Sequence, residues 1–228
     1  MKKPFFTEAA YVLGVIILAI GTAFMERADF GLSMIVAPAY ILHLKISETF
    51  SFFTFGMAEY VLQAVIILLL ALIQRRFKKA YLFSFVTAVL YGLALDGAIW
   101  LVSHIPYDGT AFRVLVCYAG GMVLCCTGVS LLFHTYISPE AYEIFVKEIS
   151  AKIHMPLSKF KTIYDCASCL VAIILSFLFF GFGNFRGVEW GTVACAVVNG
   201  WLIGRASAVF ERFYEFKDGL PLRKFFET

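Results

Sequence analysis

Six long apolar runs, separated by short clusters of charged and turn-forming residues, set the pattern of the chain. They fall at about residues 8–25, 51–73, 81–104, 112–136, 158–182 and 189–211. Each reaches the ~18 residues that mark a candidate membrane-crossing helix. Two shorter apolar segments, residues 33–45 and 139–152, follow the first and fourth runs. At ~12–14 residues they are too short to cross, and the pattern predicts re-entrant or interfacial helices there. The expected fold is all-α: six transmembrane helices with two short helices inserted.

The pattern occurs twice. Gly21 to Ser33 aligns with Gly128 to Glu140, Ala64 to Leu70 with Val171 to Phe177, and Thr87 to Gly92 with Cys195 to Gly200. The offset is about 107 residues throughout. Residues 1–105 therefore read as one three-helix repeat with its short helix at 33–45. Residues 106–228 read as a second repeat with its short helix at 139–152 and a cytoplasmic tail. Three spans per repeat is an odd number, so the second copy is expected upside down. Inverted repeats commonly build a site at their interface that can open to either side.

The two short helices have diverged. In 139–152, Ser138 can cap the first turn, Pro139 suits the first helical position and Glu140 suits the positive end of the helix dipole. Tyr142, Phe145, Val146, Ile149 and Ile153 recur at helical spacing, which predicts an amphipathic cytoplasmic helix. Ser33 to Leu44 is almost wholly apolar and is expected to tuck between spans.

Charge sets the orientation. With the N-terminus inside, Lys2, Lys3, Arg75, Arg76, Lys78, Lys79, Lys147, Lys152, Lys159, Lys161, Arg212, Lys217, Arg223 and Lys224 all fall on the inner side. Only Arg27, Lys45, Arg113 and Arg186 fall outside, so both termini are expected in the cytoplasm. The composition, 61% hydrophobic and 15% charged against roughly 25% in soluble domains, is that of an integral membrane protein. A net charge of +3 with no basic face gives no case for nucleic acid. Lys2 and Lys3 resemble the start of a signal peptide, but no small-residue cleavage site follows the first run, so that span is expected to be retained. The expected location is the cytoplasmic membrane of a bacterium.

Ionisable groups inside spans are costly and are candidates for function. Four stand out: Glu59, Asp96, Asp165 and Arg205. Glu59 and Asp96 fall at similar depth toward the outer side. Two nearby carboxyls in low dielectric cannot both ionise cheaply, so one is expected to hold a proton or a cation. The alternative is that each acid bonds a neighbouring helix or a water at headgroup level. Gln63 lies one turn from Glu59 on the same face. Glu26, at the end of the first span, is a candidate for an outer vestibule, whereas Arg27 and Asp29 read as a solvated helix end. Asp165 and Arg205 fall toward the inner side and are expected to form a structural ion pair.

Gly14 and Gly21 share a face of the first span, as do Gly121 and Gly128 on the fourth, and read as points of close helix packing. Cys166 and Cys169 form a C-x-x-C and Cys125 and Cys126 are adjacent. No second pair or neighbouring His completes a zinc set, so small apolar packing residues are the expected role. No catalytic motif is present. Neither an enzyme nor a cofactor nor a bound metal is expected.

The chain resembles the YczE/YyaS/YitT-like bacterial membrane proteins over about residues 11–210. The likeness rests on Gly21-Thr22-Ala23 leading to Ala28-Asp29-Phe30-Gly31-Leu32-Ser33, on Gly191-Thr192 with Gly200, and on Asp96 near the end of the third span. Where that family often continues with Pro-Trp-Asp, this chain has Met34-Ile35-Val36, which implies a divergent subgroup and a different ligand. The family has no established biochemical activity, so the resemblance implies fold and membrane placement alone. The functional expectation is a secondary transporter of a small solute or ion, coupled to protons or cations, with the bilayer as its partner. Two alternatives stay open: a ligand-capture subunit that needs an energising partner, and an accessory protein that moves no solute. A homodimer or a partner membrane protein fits any of the three.

Overall fold

The computed structural model describes residues 2–181, 188–221 and 223. Arg186 and Lys224, counted in the charge bias, lie outside the described residues, as does Phe182 at the end of the fifth expected span. The elements run β1 (Lys3–Phe6), α1 (Thr7–Ala28), α2 (Ala37–Ser47), α3 (Phe55–Gln74), α4 (Lys79–Ser103), α5 (Ala111–Phe133), α6 (Ala141–Lys152), α7 (Leu157–Phe180), α8 (Trp190–Phe213) and β2 (Tyr214–Lys217). Helices α1, α3, α4, α5 and α7 are long and apolar enough to cross a membrane. Helix α8 joins them as two arms meeting at a bend of 48°. Many of their outward side chains are large and apolar, Leu68, Leu72, Phe112, Leu178 and Trp201 among them. In water such a surface would be a liability; in lipid it is the expected exterior. The protein is an α-helical, multi-pass membrane protein.

Helices α1 and α5 form the central pair, running antiparallel and touching through glycines. A Cβ on Gly21 would fall 2.7 Å from the Gly121 carbonyl oxygen, and one on Gly128 would fall 2.8 Å from that of Gly14. No side chain fits either spot, and the backbones meet as small residues allow in membranes. Around this crossing α4 packs on α1, α8 packs on α5, α3 packs on α4 and α6, and α7 packs on α2 and α6.

The two short helices are present, with 11 and 12 residues. Helix α2 starts later than expected because Ser33 to Val36 form a turn, with the Val36 and Ala37 N–H groups donating to the Ser33 carbonyl at 3.1 and 3.0 Å. Helix α6 starts at Ala141, not at Pro139. The Ser138 and Pro139 carbonyls instead accept hydroxyl bonds from Thr87 at 2.9 Å and Ser84 at 2.5 Å, tying the approach to α4. Glu140 sits at the N-cap without capping. Nor does α6 lie loose on the surface: Tyr142, Val146 and Ile149 are buried, and its apolar face packs on Ile66, Ile67 and Leu70 of α3.

One feature was invisible in the pattern. β1 and β2 pair in parallel, Lys3 opposite Tyr214 and Phe6 opposite Lys217. Phe5 packs edge-on against Tyr214 and Phe216. The pairing brings both ends of the described chain to the same end of the molecule.

Candidate functional site

Beside the α1–α5 crossing lies a cavity of about 70 Å³, room for a few waters. Leu18 and Thr22 of α1, Tyr91 of α4, Cys125 and Val129 of α5, and Cys195 and Asn199 of α8 form its walls. The starts of both short helices complete it, through Ser33, Ile35 and Val36 on one side and Pro139, Glu140, Tyr142 and Glu143 on the other. Two helix N-termini, each a partial positive charge, therefore face one small space. The Thr22 and Tyr91 hydroxyls lie 2.9 Å apart, and Thr22 also donates to the Leu18 carbonyl at 3.1 Å. Cys126, behind the wall, donates to Asn199 Oδ1 at 2.9 Å.

A buried acid cluster adjoins the cavity where α3 meets α6. Glu59 and Gln63 are fully buried, and Tyr142 and Glu140 nearly so. Tyr142 donates its hydroxyl to Glu59 Oε2 at 2.9 Å. Gln63 Nε2 lies 3.4 Å from Glu59 Oε2 and 3.4 Å from Glu140 Oε2, while Gln63 Oε1 accepts the Ala141 N–H at 3.1 Å. The Oε1 atoms of both acids are buried without a partner. The nearby cation, Lys161, bonds Glu143 at 2.8 Å. Burial, and then the Glu59 carboxyl beyond Gln63, push Glu140 well above the usual carboxylate range.

The cavity shares Phe133 and Pro139 with an open polar vestibule of about 600 Å³. Lys78, Lys147, Glu148, Arg223 and the stretch His134 to Ser138 line it, and Lys78 pairs with Glu148 at 2.6 Å. The His134 ring stacks on Phe216 of β2 at 4.3 Å, so the vestibule opens at the end where the two strands pair.

Of the residues singled out by the sequence, Glu59 and Gln63 come together as their spacing requires. Asp96 does not join them, which corrects the expected Glu59–Asp96 pair. Its carboxylate accepts the Thr54 hydroxyl at 2.6 Å and the Gly56 N–H at 2.8 Å. Helix α4 delivers it to the N-terminus of α3, where unpaired amides and the positive dipole end already suit a carboxylate. Glu26 borders a separate recess of about 10 Å³ with Asp29, Tyr40 and Glu189. Asp165 and Arg205 form no ion pair, a second correction. Helix α7 packs on α2 and α6 and helix α8 on α5, so the two residues are carried apart. Arg205 is exposed over the Trp201 ring at 5.2 Å, and Asp165 Oδ1 is buried without a partner.

Glu140 and Tyr142 are the site residues that sequence reasoning missed. Glu140 was assigned to the helix dipole, which its spacing fits, but its carboxyl turns to Gln63. The available signal was its alignment with Ser33, just before the other short helix, at an offset of 107 residues. The described cysteines are free thiols, with Cys125, Cys126 and Cys195 buried. No group of three potential metal ligands occurs among the described residues.

A family model described as "Family of unknown function (DUF6198)" matches residues 5–208. The chain is also similar to "Uncharacterized protein YyaS" of Bacillus subtilis (strain 168), at 26% identity over 125 residues. That alignment covers 55% of this chain and 59% of the relative, so the chain spans under two thirds of that protein. No solved structure matches.

Proposed function

The chain belongs to this family of unknown function, and on that premise we propose that it is a secondary transporter of a small solute or ion. Its site is the central cavity at the junction of two inverted repeats. One observation carries the reading: the cavity is walled by repeat partners. Leu18 and Cys125, Thr22 and Val129, Ser33 and Glu140, Ile35 and Tyr142, Val36 and Glu143, and Tyr91 and Asn199 all line it, each pair separated by 107 or 108 residues. A pocket formed by chance between unrelated helices has no reason to recruit both members of so many pairs.

Helix packing supports the same symmetry. Exchanging the repeats turns the Gly14–Gly128 contact into the Gly121–Gly21 contact, and the α2–α7 contact into the α6–α3 contact. The antiparallel crossing of α1 and α5 fits a two-fold axis in the plane of the bilayer. The bias of the basic residues supports cytoplasmic termini, and with that orientation the vestibule opens to the cytoplasm. The cavity holds only a few atoms, which favours a small solute, and its buried acids favour coupling to protons or cations. The expected home is the bacterial cytoplasmic membrane.

Reconstitution of the purified protein alone into liposomes tests this. Flux of a small solute without nucleotide or partner supports the carrier. Tight binding without flux would make the protein a ligand-capture subunit, and neither would make it an accessory protein.

A further inference from the structure

Glu140 stands where the cavity, the vestibule and the buried Glu59 carboxyl come together. It lines the cavity, and its neighbour Pro139 lines both cavity and vestibule. Its side chain is only 8% exposed, and Oε1 has no partner. Oε2 shares a single donor, Gln63 Nε2, with Glu59, both at 3.4 Å. Gln63 cannot turn to favour either acid, because its own oxygen is held by the Ala141 N–H.

Among the described residues, no cation bonds either carboxyl of this pair. Glu59 of α3 and Glu143 of its own helix are acids facing Glu140. The phenols of Tyr11 of α1, Tyr91 of α4 and Tyr142 of α6 and the thiol of Cys125 of α5 also lie near it and supply no positive charge. Lys161 of α7 is the cation that reaches it among the described residues, and its ammonium is engaged 2.8 Å from Glu143. Two buried acids that share one amide without a countercharge cannot both be ionised cheaply.

Building on the carrier reading above, we propose that Glu140 takes up and releases the coupling proton, exchanging it with the cytoplasm through the vestibule, while Gln63 holds it against Glu59. On uptake, a vestibule water chain gives a proton to Oε1 and an O–H bond forms on a neutral acid. On release, that bond breaks, the proton returns to water, and a carboxylate remains at the positive N-terminus of α6. Burial favours the neutral acid, and the Gln63 amide, 3.4 Å from Oε2, remains to hold the carboxylate. Its place at the start of a short helix lets the exchange shift the wall of the solute cavity itself.

Infrared spectroscopy of the full chain in lipid, recorded across pH, reads the C=O stretch of a protonated carboxyl and needs no transported solute. A band that persists at pH 7 and is lost in Glu140→Gln is expected. In Glu59→Gln, which removes the charge and keeps the shape, the midpoint of that band should fall by about one pH unit or more. Identical spectra of the native protein and Glu140→Gln at pH 7 overturn the proposal. So does an unmoved midpoint in Glu59→Gln, which decides alone should Glu140→Gln not fold. A protein with the band and its shift but no flux keeps the proton site and loses the carrier. Flux without the band does the reverse.

Discussion

The contact of α3 with α6 and that of α2 with α7 join segments that align in sequence at an offset of about 107 residues, yet their chemistry differs. The first holds Glu59, Gln63, Glu140 and Tyr142 in one hydrogen-bonded cluster. At the second, the corresponding positions are Cys166, Leu170, Ser33 and Ile35. That contact is closed by Ala37, Ile41 and Ala172, with Leu175 and Phe179 packed on them, and by a Ser168 hydroxyl donating to the Met34 carbonyl at 3.0 Å. One scaffold therefore carries an ionisable seam on one side of the cavity and an apolar seam on the other. Under the proposed carrier reading, this asymmetry would confine proton chemistry to the α3–α6 side.

The largest predicted effect attacks the glycine crossing on which both seams hang. Gly21→Val places a Cβ 2.6 Å from the Cys125 nitrogen and must separate α1 from α5. A loss of roughly 3 kcal/mol or more is expected, at the upper end of overpacking costs, read as reduced thermal stability and yield in detergent. Gly120→Ala is the control, since nothing lies within 4 Å of a Cβ there. Equal losses would mean that the close approach does not hold the bundle.

Next comes the amide that makes the first seam polar. Gln63→Leu strips both acids of a donor and leaves the buried Ala141 N–H unpaired. Glu59 keeps the Tyr142 hydroxyl, so Glu140 Oε2 and the Ala141 N–H are the two groups left unpaired; at ~1–3 kcal/mol each, a total of roughly 2 kcal/mol or more is expected. Its counterpart Leu170 is exposed on the outer face, and Leu170→Ala should change stability by no more than about 0.5 kcal/mol. Comparable losses at the two positions would erase the contrast between the seams.

How far the sequence revealed this contrast follows from what is local. Runs of apolar residues and self-similarity need no partner, so the spans, the short helices and the packing glycines were legible. The direction in which a side chain faces was not. Helix α4 is apolar nearly all round, so nothing in the chain says that Asp96 turns to the α3 N-terminus and not to Glu59. Arg205 and Asp165 share a depth, but depth does not decide which helices touch. Glu140 had a local explanation that fitted, and only the tertiary approach of Gln63 displaced it. The β1–β2 pair spans four residues on each side, too few to leave a periodic signal, and joins opposite ends of the chain.

The third prediction uses pH. Glu140 binds its proton more tightly in the folded protein than its ordinary value of 4.5 would allow. Above that value the unfolded chain releases the proton while the folded one keeps it. The contribution of Glu140 is thus fully present below about pH 4.5 and is lost as pH rises toward its folded value, with a slope of at most ~1.4 kcal/mol per pH unit. Chemical unfolding across pH 5 to 8 should show a fall in stability for the native protein that is shallower in Glu140→Gln. An unchanged slope in the variant would remove the ionisable character of the seam. No such dependence is expected from Ser33, which aligns with Glu140 at an offset of 107 residues.

The smallest effect compares one hydrogen bond from each seam. Tyr142→Phe keeps the ring packed under α3 and removes the hydroxyl 2.9 Å from Glu59. A buried carboxyl loses a donor it cannot replace from water, so about 1–2 kcal/mol is expected, toward the range for bonds to charged groups. Ser168→Ala removes a bond from a half-buried residue to a backbone carbonyl, a neutral acceptor with no charge to stabilise. About 0.5 kcal/mol is expected there, at the low end for a net hydrogen bond. Both substitutions conserve shape, so thermal unfolding of the two variants in one detergent compares the bonds and not the packing. A larger loss for Ser168→Ala would put the stabilising polar contact on the apolar seam and reverse the contrast between the two seams. A larger loss for Tyr142→Phe, growing when the pH is raised so that ionised carboxyls need their donors more, would tie the Tyr142 hydroxyl to the charge state of the cluster.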